Sequence, residues 1–309
     1  MVMDNIEKRI LEEVAEIHKT PTGAYNIRLN GESRDRQSTE HITISSKEDG
    51  SGIDINIADN TVNETCCVPV VIAKSGLKET VRNDFIVGEN CDVQIVAGCG
   101  IHNCGNQDSE HSGIHRFFVG KNSRVKYVER HYGEKADGKT GGTIMNPTTE
   151  IFLEEGSTLE METTQIRGID STEKITKAEV KKNASLVIKE KLLTNGNQTA
   201  TSKMDAYLIG EGSSANLISR SVATDDSKIS FISNIIGKAP CSGHTECDSI
   251  IVGNAKILSV PALDAVNPDA SLIHEAAIGK IAGEQLIKLE TLGLSAEEAE
   301  AAIIDGFLK

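Results

Sequence analysis

The sequence predicts a mainly β protein, a right-handed parallel β-helix (solenoid) with short helical segments at its two ends. Three observations predict it. A turn-plus-strand motif returns along most of the chain at roughly 27 to 34 residues, a spacing typical of stacked repeats. No helical periodicity of useful length separates the copies, as the crossovers of a βαβ fold would require. Aromatic residues are only 3% of the 309 residues with no Trp, so the apolar material is mostly Ile, Val and Leu, which suit stacked ladders. A two-sheet sandwich is the competing architecture.

The chain opens with a predicted helix from Asp4 to His18, where Ile6, Ile10, Leu11, Val14 and Ile17 recur on one face. Pro21 and Gly23 are expected to end it. Short strand patterns follow, as in His41-Ile42-Thr43-Ile44-Ser45 and Ile53-Asp54-Ile55-Asn56-Ile57. The repeat then begins, with corners at Glu89-Asn90-Cys91, Lys121-Asn122-Ser123, Glu155-Gly156-Ser157, Lys182-Asn183-Ala184 and Gly212-Ser213-Ser214. Each corner leads into an alternating strand such as Val93-Gln94-Ile95, and Gly, Asn and Asp suit the tight bends. Later copies begin at Asp226, Asn254 and Asp269. Gly283 to Glu290 reads as a short helix stopped by Gly293, and Ser295 with Glu298 forms a capping box that starts another. These two helices are expected either to cap the open end of the solenoid, which composition favours, or to offer an apolar groove or ridge to a partner. The organisation is therefore residues 1–79 as a helix and short-strand region, 80–275 as the β-helix core, and 276–309 as a C-terminal helical segment.

Charge and composition exclude several functions. The formal net charge of −14 comes with no basic block, which argues against nucleic acid and anionic membrane surfaces as partners. No stretch approaches the ~20 apolar residues that cross a bilayer, and Met1 to Lys19 does not read as a secretory signal, so a cytoplasmic protein is expected. The Cys count of seven is odd, and in a reducing compartment it points to packing, metal binding or sulfur chemistry rather than disulfides. Gly133 to Thr140 matches a phosphate-loop pattern, but Gly141-Gly142 and Asn146-Pro147 forbid the helix that would aim amides at a phosphate. It is read as a polar loop.

Two clusters carry chemistry. Cys99, His102 and Cys104 lie together in sequence, with His111 and His115 nearby, enough ligands for zinc or an iron–sulfur species without matching a zinc-finger spacing. Cys241 and Cys247 are followed one coil later by His274-Glu275, and stacking at ~4.8 Å per coil would bring Cys247 toward that pair either within one chain or across a sheet-edge contact. A thiolate, an imidazole and a carboxylate suit iron or zinc. Cys66-Cys67 is a weaker pair because neighbours in a strand face opposite ways.

The segments Glu246 to Asn254, His274 to Ile281, Glu284-Gln285-Leu286, and Leu292 to Ala299 on to Asp305-Gly306-Phe307 resemble the SufB/SufD family, scaffold components of the SUF iron–sulfur cluster assembly system. The resemblance covers roughly residues 60 to 309 and is tightest in the last 65 or so. It implies a scaffold rather than an enzyme, building a nascent iron–sulfur cluster and passing it to apo-proteins. By this resemblance Cys247 matches a cysteine held essential for assembly, Glu275 a proposed cluster ligand, and His274 a position at the scaffold–scaffold interface. Cys99 matches a proposed sulfur acceptor or relay, shared here with Cys104, while His102 and Cys241 are accessory candidates. A SufC-type ABC ATPase is the implied partner, docking at Glu284, Gln285, Leu286, Leu289 and Leu294.

Ile273 stands where many SufB chains carry another Glu, and the chain lacks a longer N-terminal region. Both departures suggest a compact form that pairs with itself as a homodimer, or with a second SufB/SufD-like subunit, alongside a sulfur donor. A flavin is compatible with this role but no residue supports one, and the chain is expected to bind no ATP itself. A polysaccharide-acting β-helix enzyme and an interaction protein with purely structural thiols are the alternatives.

Overall fold

The computed structural model describes residues 4–15 and 22–308. Helix α1 (Asn5–Ala15) leads into two antiparallel hairpins, β1 (Ala24–Leu29) with β2 (Glu32–Gln37), and β3 (Ile42–Ser46) with β4 (Gly52–Ile57). The remainder of the predicted first helix, with Ile17 and His18, and the expected stop at Pro21 lie outside the described residues.

The chain then alternates between two sheets through β5 (Val62–Ile72), β6 (Lys78–Val87), β7 (Asp92–Asn103), β8 (Ser109–Val119) and β9 (Arg124–Lys135). Strands β10 (Thr143–Met145) and β11 (Thr148–Leu153) share one place, both pairing with β8. There follow β12 (Thr158–Arg167), β13 (Ser171–Val180), β14 (Ser185–Thr194), β15 (Thr199–Leu208) and β16 (Ser213–Ala223). Strands β17 (Lys228–Gly237), β18 (Cys241–Ile251), β19 (Lys256–Ala265) and β20 (Ser271–Lys280) complete the walls. Helices α2 (Gly283–Glu290) and α3 (Ala296–Leu308) come last.

One sheet runs β2-β1-β5-β7-β9-β12-β14-β16-β18-β20, and the other runs from β3 to β19. All pairings beyond the two hairpins are parallel, so the architecture is a β-solenoid of about 8 turns rather than a sandwich. The sheets continue without a break across residue 80, where β4 pairs β6 and β5 pairs β7. Among the described residues no helix is long and apolar enough to cross a membrane.

The repeat corners explain why the chain winds this way. Asn90, Asn122, Gly156, Asn183 and Gly212 all take positive φ, between 53° and 72°, which Gly and Asn tolerate best. Their amides bond the next coil: Asn90 N donates to Lys121 O at 2.9 Å and Asn183 N to Glu211 O at 2.9 Å. The small residue after each of these corners, Cys91, Ser123, Ser157, Ala184 or Ser213, is buried against the stack. Between corners, alternate residues point inward, and some of the few aromatics stack there, with the Phe85 and Phe117 rings 4.6 Å apart. The segment from Ala136 to Gly142 is a turn and loop, as expected of the phosphate-loop look-alike.

Helix α1 lies on the outside of the first sheet. Ile10, Leu11 and Val14 pack against Tyr25, Ile27 and Tyr132. Burying three such side chains contributes on the order of 5–9 kcal/mol gross. The close approach needs glycine beneath it: a Cβ on Gly98 would stand 2.5 Å from Val14 O, and one on Gly100 2.0 Å from Ile10 Cγ2. Arg9 adds an ion pair to Glu134, which also meets Tyr132 and His102.

The C-terminal helices have the predicted bounds and stop, with Gly293 at φ 99°. The capping box forms: Ser295 N donates to Glu298 Oε2 at 2.8 Å and Glu298 N to Ser295 Oγ at 3.2 Å. Their placement differs from the expected cap. Helix α3 turns back to pack on β16, and the last coil stays open. Leu263 and Ile278 occupy inward positions yet remain 37% and 40% exposed, because no further coil covers them.

Candidate metal and sulfur centre

Parallel register stacks the inward residues of successive coils into columns. In the first sheet, Glu129, Thr163, Glu190, Ser219 and Cys247 follow one another in a single column. The neighbouring column carries Cys99, His131 and Gln165, then Leu192, Ser221 and Ser249. Five strand steps separate Cys99 on β7 from Cys247 on β18, about 24 Å at ~4.8 Å each. A polar line thus runs along the largely apolar interior of the solenoid.

The opposite sheet satisfies this line, as buried polar groups require. Lys174 Nζ donates to Thr163 Oγ1 at 2.6 Å and lies 3.1 Å from Glu190 Oε1. Ser202 Oγ donates to the same Glu190 oxygen at 3.1 Å. His131 Nε2 lies 3.3 Å from Glu129 Oε1, and His115 Nδ1 lies 2.8 Å from Tyr127 Oη. Burial alone would raise the Glu129 carboxyl, but the charge and hydrogen bond of His131, with Lys174 beyond, hold it below the usual range. Burial keeps His115 neutral by lowering its pKa. Nearer the open end, Ser221 and Ser249 hydroxyls are 2.8 Å apart and Cys247 Sγ lies 3.6 Å from Ser249 Oγ. Two atoms in the column have no partner, Glu190 Oε2 and Ser219 Oγ.

The expected trio is only partly assembled. Cys247 is buried and faces inward, with Ala276 as its register partner. His274 pairs Thr245 and so shares the inward face, two residues along from Ala276. Glu275 takes the outer face beside Glu246, 68% exposed, with its Oε2 3.6 Å from His244 Nε2. Adjacent residues of a strand cannot share a face, so His274 and Glu275 cannot both meet Cys247 within one chain. Cys241 lies at the far end of the same strand, six residues and about 20 Å from Cys247.

The Cys99 cluster divides in the same way. Cys99 faces the lumen, where burial first, then the charges of Glu79 and Glu129, push its thiol well up. His102 faces outward to Glu134, and Cys104 is exposed just past β7 with its Sγ 3.5 Å from Ala73 O. His111 and His115 do turn inward, joined by Glu129 and His131, which the sequence reading had not singled out. The signal was available: both share the odd-numbered parity of Val125 and Tyr127 in the recognised repeat strand. Of the docking candidates, Glu284 and Gln285 are exposed, while Leu286, Leu289 and Leu294 are half-buried. Among the described residues no three His, Cys, Asp or Glu side chains are already gathered as a metal-binding group.

The two ends of the solenoid differ in chemistry. The edge at β2 is Glu32-Ser33-Arg34-Asp35-Arg36-Gln37, a charged strand of the kind that discourages further pairing. At the other end β19 is interrupted by Pro261, whereas β20 has no proline and exposes Ile273 and Ile278.

Comparison with known proteins bears on this centre. The family description "SUF system FeS cluster assembly, SufBD core domain" matches residues 71–307. An iron–sulfur cluster assembly SufBD family protein of Archaeoglobus fulgidus is 33% identical over 235 residues, covering 75% of this chain and 61% of the relative. A relative of the same description from Methanothermobacter thermautotrophicus is 29% identical over 244 residues, 77% of this chain and 57% of its own length. One from Pyrococcus horikoshii is 30% identical over 269 residues, 84% of this chain and 78% of the relative. The chain therefore spans less than two thirds of the first two relatives.

Proposed function

The chain belongs to the SufB/SufD family and has a role in iron–sulfur cluster assembly, and from that premise we propose that it is the scaffold on which a nascent cluster is built at Cys247. The carrying observation is the position of Cys247: a buried thiol at the end of a polar internal column, one coil from an open apolar edge.

A second copy of the chain, meeting it through β20, supplies what one copy divides. Edge pairing would cover Ile273, Leu263 and Ile278 and would let Glu275 and His274 of two chains surround one site. Thiolate, imidazole and carboxylate together suit iron. The cluster is cargo, assembled from ferrous iron and sulfide and handed on to apo-proteins.

Sulfur arrives as a donor protein's persulfide. Exposed Cys104 is the thiol such a donor reaches, its thiolate attacking the sulfane sulfur and releasing the donor thiolate. Cys99, inside the lumen, takes that sulfane sulfur by the same exchange and passes it toward Cys247, where an external two-electron reductant of the thiol or flavin class releases it as the sulfide the cluster takes up. The helical segment α2–α3, with Glu284, Gln285, Leu286, Leu289 and Leu294, docks a SufC-type ATPase. ATP-driven closure of that partner pulls on the last coil and opens the seam.

Anaerobic reconstitution with ferrous iron and sulfide tests this reading. The wild-type chain, with its ATPase partner, acquires iron, sulfide and visible absorption, and Cys241→Ser behaves alike. Cys247→Ser loses most of both. Equal iron and equal absorption in Cys247→Ser would refute the assignment.

A further inference from the structure

We propose that the chamber inside the solenoid beside Gly113 binds one soft divalent cation through Cys99, His111 and His115. Both histidines face inward from β8, with Gly113 between them. A Cβ on Gly113 would stand 3.3 Å from His111 Nε2 and 3.4 Å from His115 Nε2. Both Nε2 atoms therefore border the space that this missing side chain leaves, and Cys99 lines the same chamber from the facing sheet. The chamber has room for about one water-sized group.

The imidazoles are already oriented as ligands. His111 Nδ1 lies 3.1 Å from Glu79 Oε1, and His115 Nδ1 lies 2.8 Å from Tyr127 Oη, which in turn bonds Glu129. An Nδ1–H donated to these groups leaves the Nε2 lone pair for the chamber, the outer-shell arrangement that sets metal-ligating histidines. The Asn83 amide, 3.3 Å from His115 Nε2, fixes the same tautomer by donating to that lone pair, and a half-turn of the amide frees the lone pair and offers the carbonyl oxygen to the ion. The three donors surround one space rather than meet at one point, so binding draws them in by side-chain rotation.

Donor chemistry sets the class of ion. Two imidazoles and a thiolate favour ferrous iron, zinc or cobalt over magnesium or calcium. Glu79 and Glu129 add negative charge around the chamber, partly balanced by Arg28 against Glu79. A dication there would convert the Cys99 thiol to the thiolate that sulfur relay needs. That ferrous iron is the ion held in the cell rests on the cluster-assembly reading; the site itself does not. Cys247 lies about 24 Å away along the lumen, so the two sites can fail separately.

Cobalt(II) is the probe, added anaerobically to the folded chain and, in a second sample, supplied during expression so that a closed lumen does not mask the site. The expected result is about one tightly held ion with a thiolate-to-cobalt charge-transfer band, unchanged in Cys247→Ser. Cys99→Ser removes the band, and His111→Gln or His115→Gln each weaken binding by at least the roughly 10–100-fold that an outer-shell change alone costs, while circular dichroism is retained. The proposal is overturned if neither wild-type sample holds cobalt, or if the band survives in Cys99→Ser. It is likewise overturned if both glutamine variants bind as wild type, which would make the chamber a water pocket.

Discussion

Lys174→Met tests whether the internal polar line is held together electrostatically. Lys174 and Glu190 are 4% and 1% exposed, and the ammonium reaches both Thr163 and Glu190. Methionine keeps the length of the chain but leaves the Glu190 carboxylate in the lumen with Ser202 as its remaining partner, since Oε2 has none. Removing one member of a buried pair costs about 3–5 kcal/mol, because the other charge stays desolvated. Adding Glu190→Gln to Lys174→Met removes that charge and keeps an amide for Ser202, so the double variant should recover about 2–3 kcal/mol of the loss. Denaturant titration followed by circular dichroism measures Lys174→Met, Glu190→Gln and the double variant against wild type. A single-variant cost under about 1 kcal/mol, or costs that simply add, would refute the coupling.

Two further outcomes follow from the ends of the molecule. The Arg9 hydrogen bond, opposed by burial and helped by Tyr132 and His102, holds Glu134 at about 2. A depressed carboxyl stabilises the fold above its unfolded pKa near ~4.3 and loses that contribution as pH falls toward about 2. Protection of the α1 amides relative to free amides at the same pH should therefore fall across that window, and Arg9→Ala should flatten the change; a wild-type helix equally protected at about pH 5 and about pH 2.5 would contradict this. Ser295→Ala removes the cap of α3 and should cost about 1 kcal/mol of local stability, read as faster exchange from residue 295 onward and weaker ATPase capture. Unchanged exchange would mean that the packing on β16 alone holds the helix.

The solenoid was legible because its corners need special backbone geometry. Asn90, Asn122, Gly156 and Asn183 mark left-handed turns that few other residues accept, so their recurrence exposes the coil length. The capping box at Ser295 and Glu298 is equally local and equally readable. What was harder to see depends on partners brought together across the lumen. Glu129 and His131 look like surface charges in a polar strand until the facing β8 is set against them. Lys174 and Glu190 are 16 positions apart and meet only because the corner between them folds back. Spacing alone put Cys247 near both His274 and Glu275, while strand alternation, already decisive for Cys66-Cys67, sends those two neighbours to opposite faces. The helix expected to cap the open end instead returns along the wall, which leaves the last coil exposed.

The claim that the cluster forms at a seam between two copies is tested most directly by reconstituting a monomer. Leu263→Lys combined with Ile278→Lys places two charges on the open end and leaves Cys247, His274 and Glu275 untouched. Sedimentation and circular dichroism establish that this variant is monomeric and folded, and anaerobic iron and sulfide uptake is then compared with wild type. The account predicts a wild-type dimer that gains visible absorption and a folded monomer that does not. A folded monomer that binds as much iron and sulfide as the wild-type chain, with the same absorption, would contradict it.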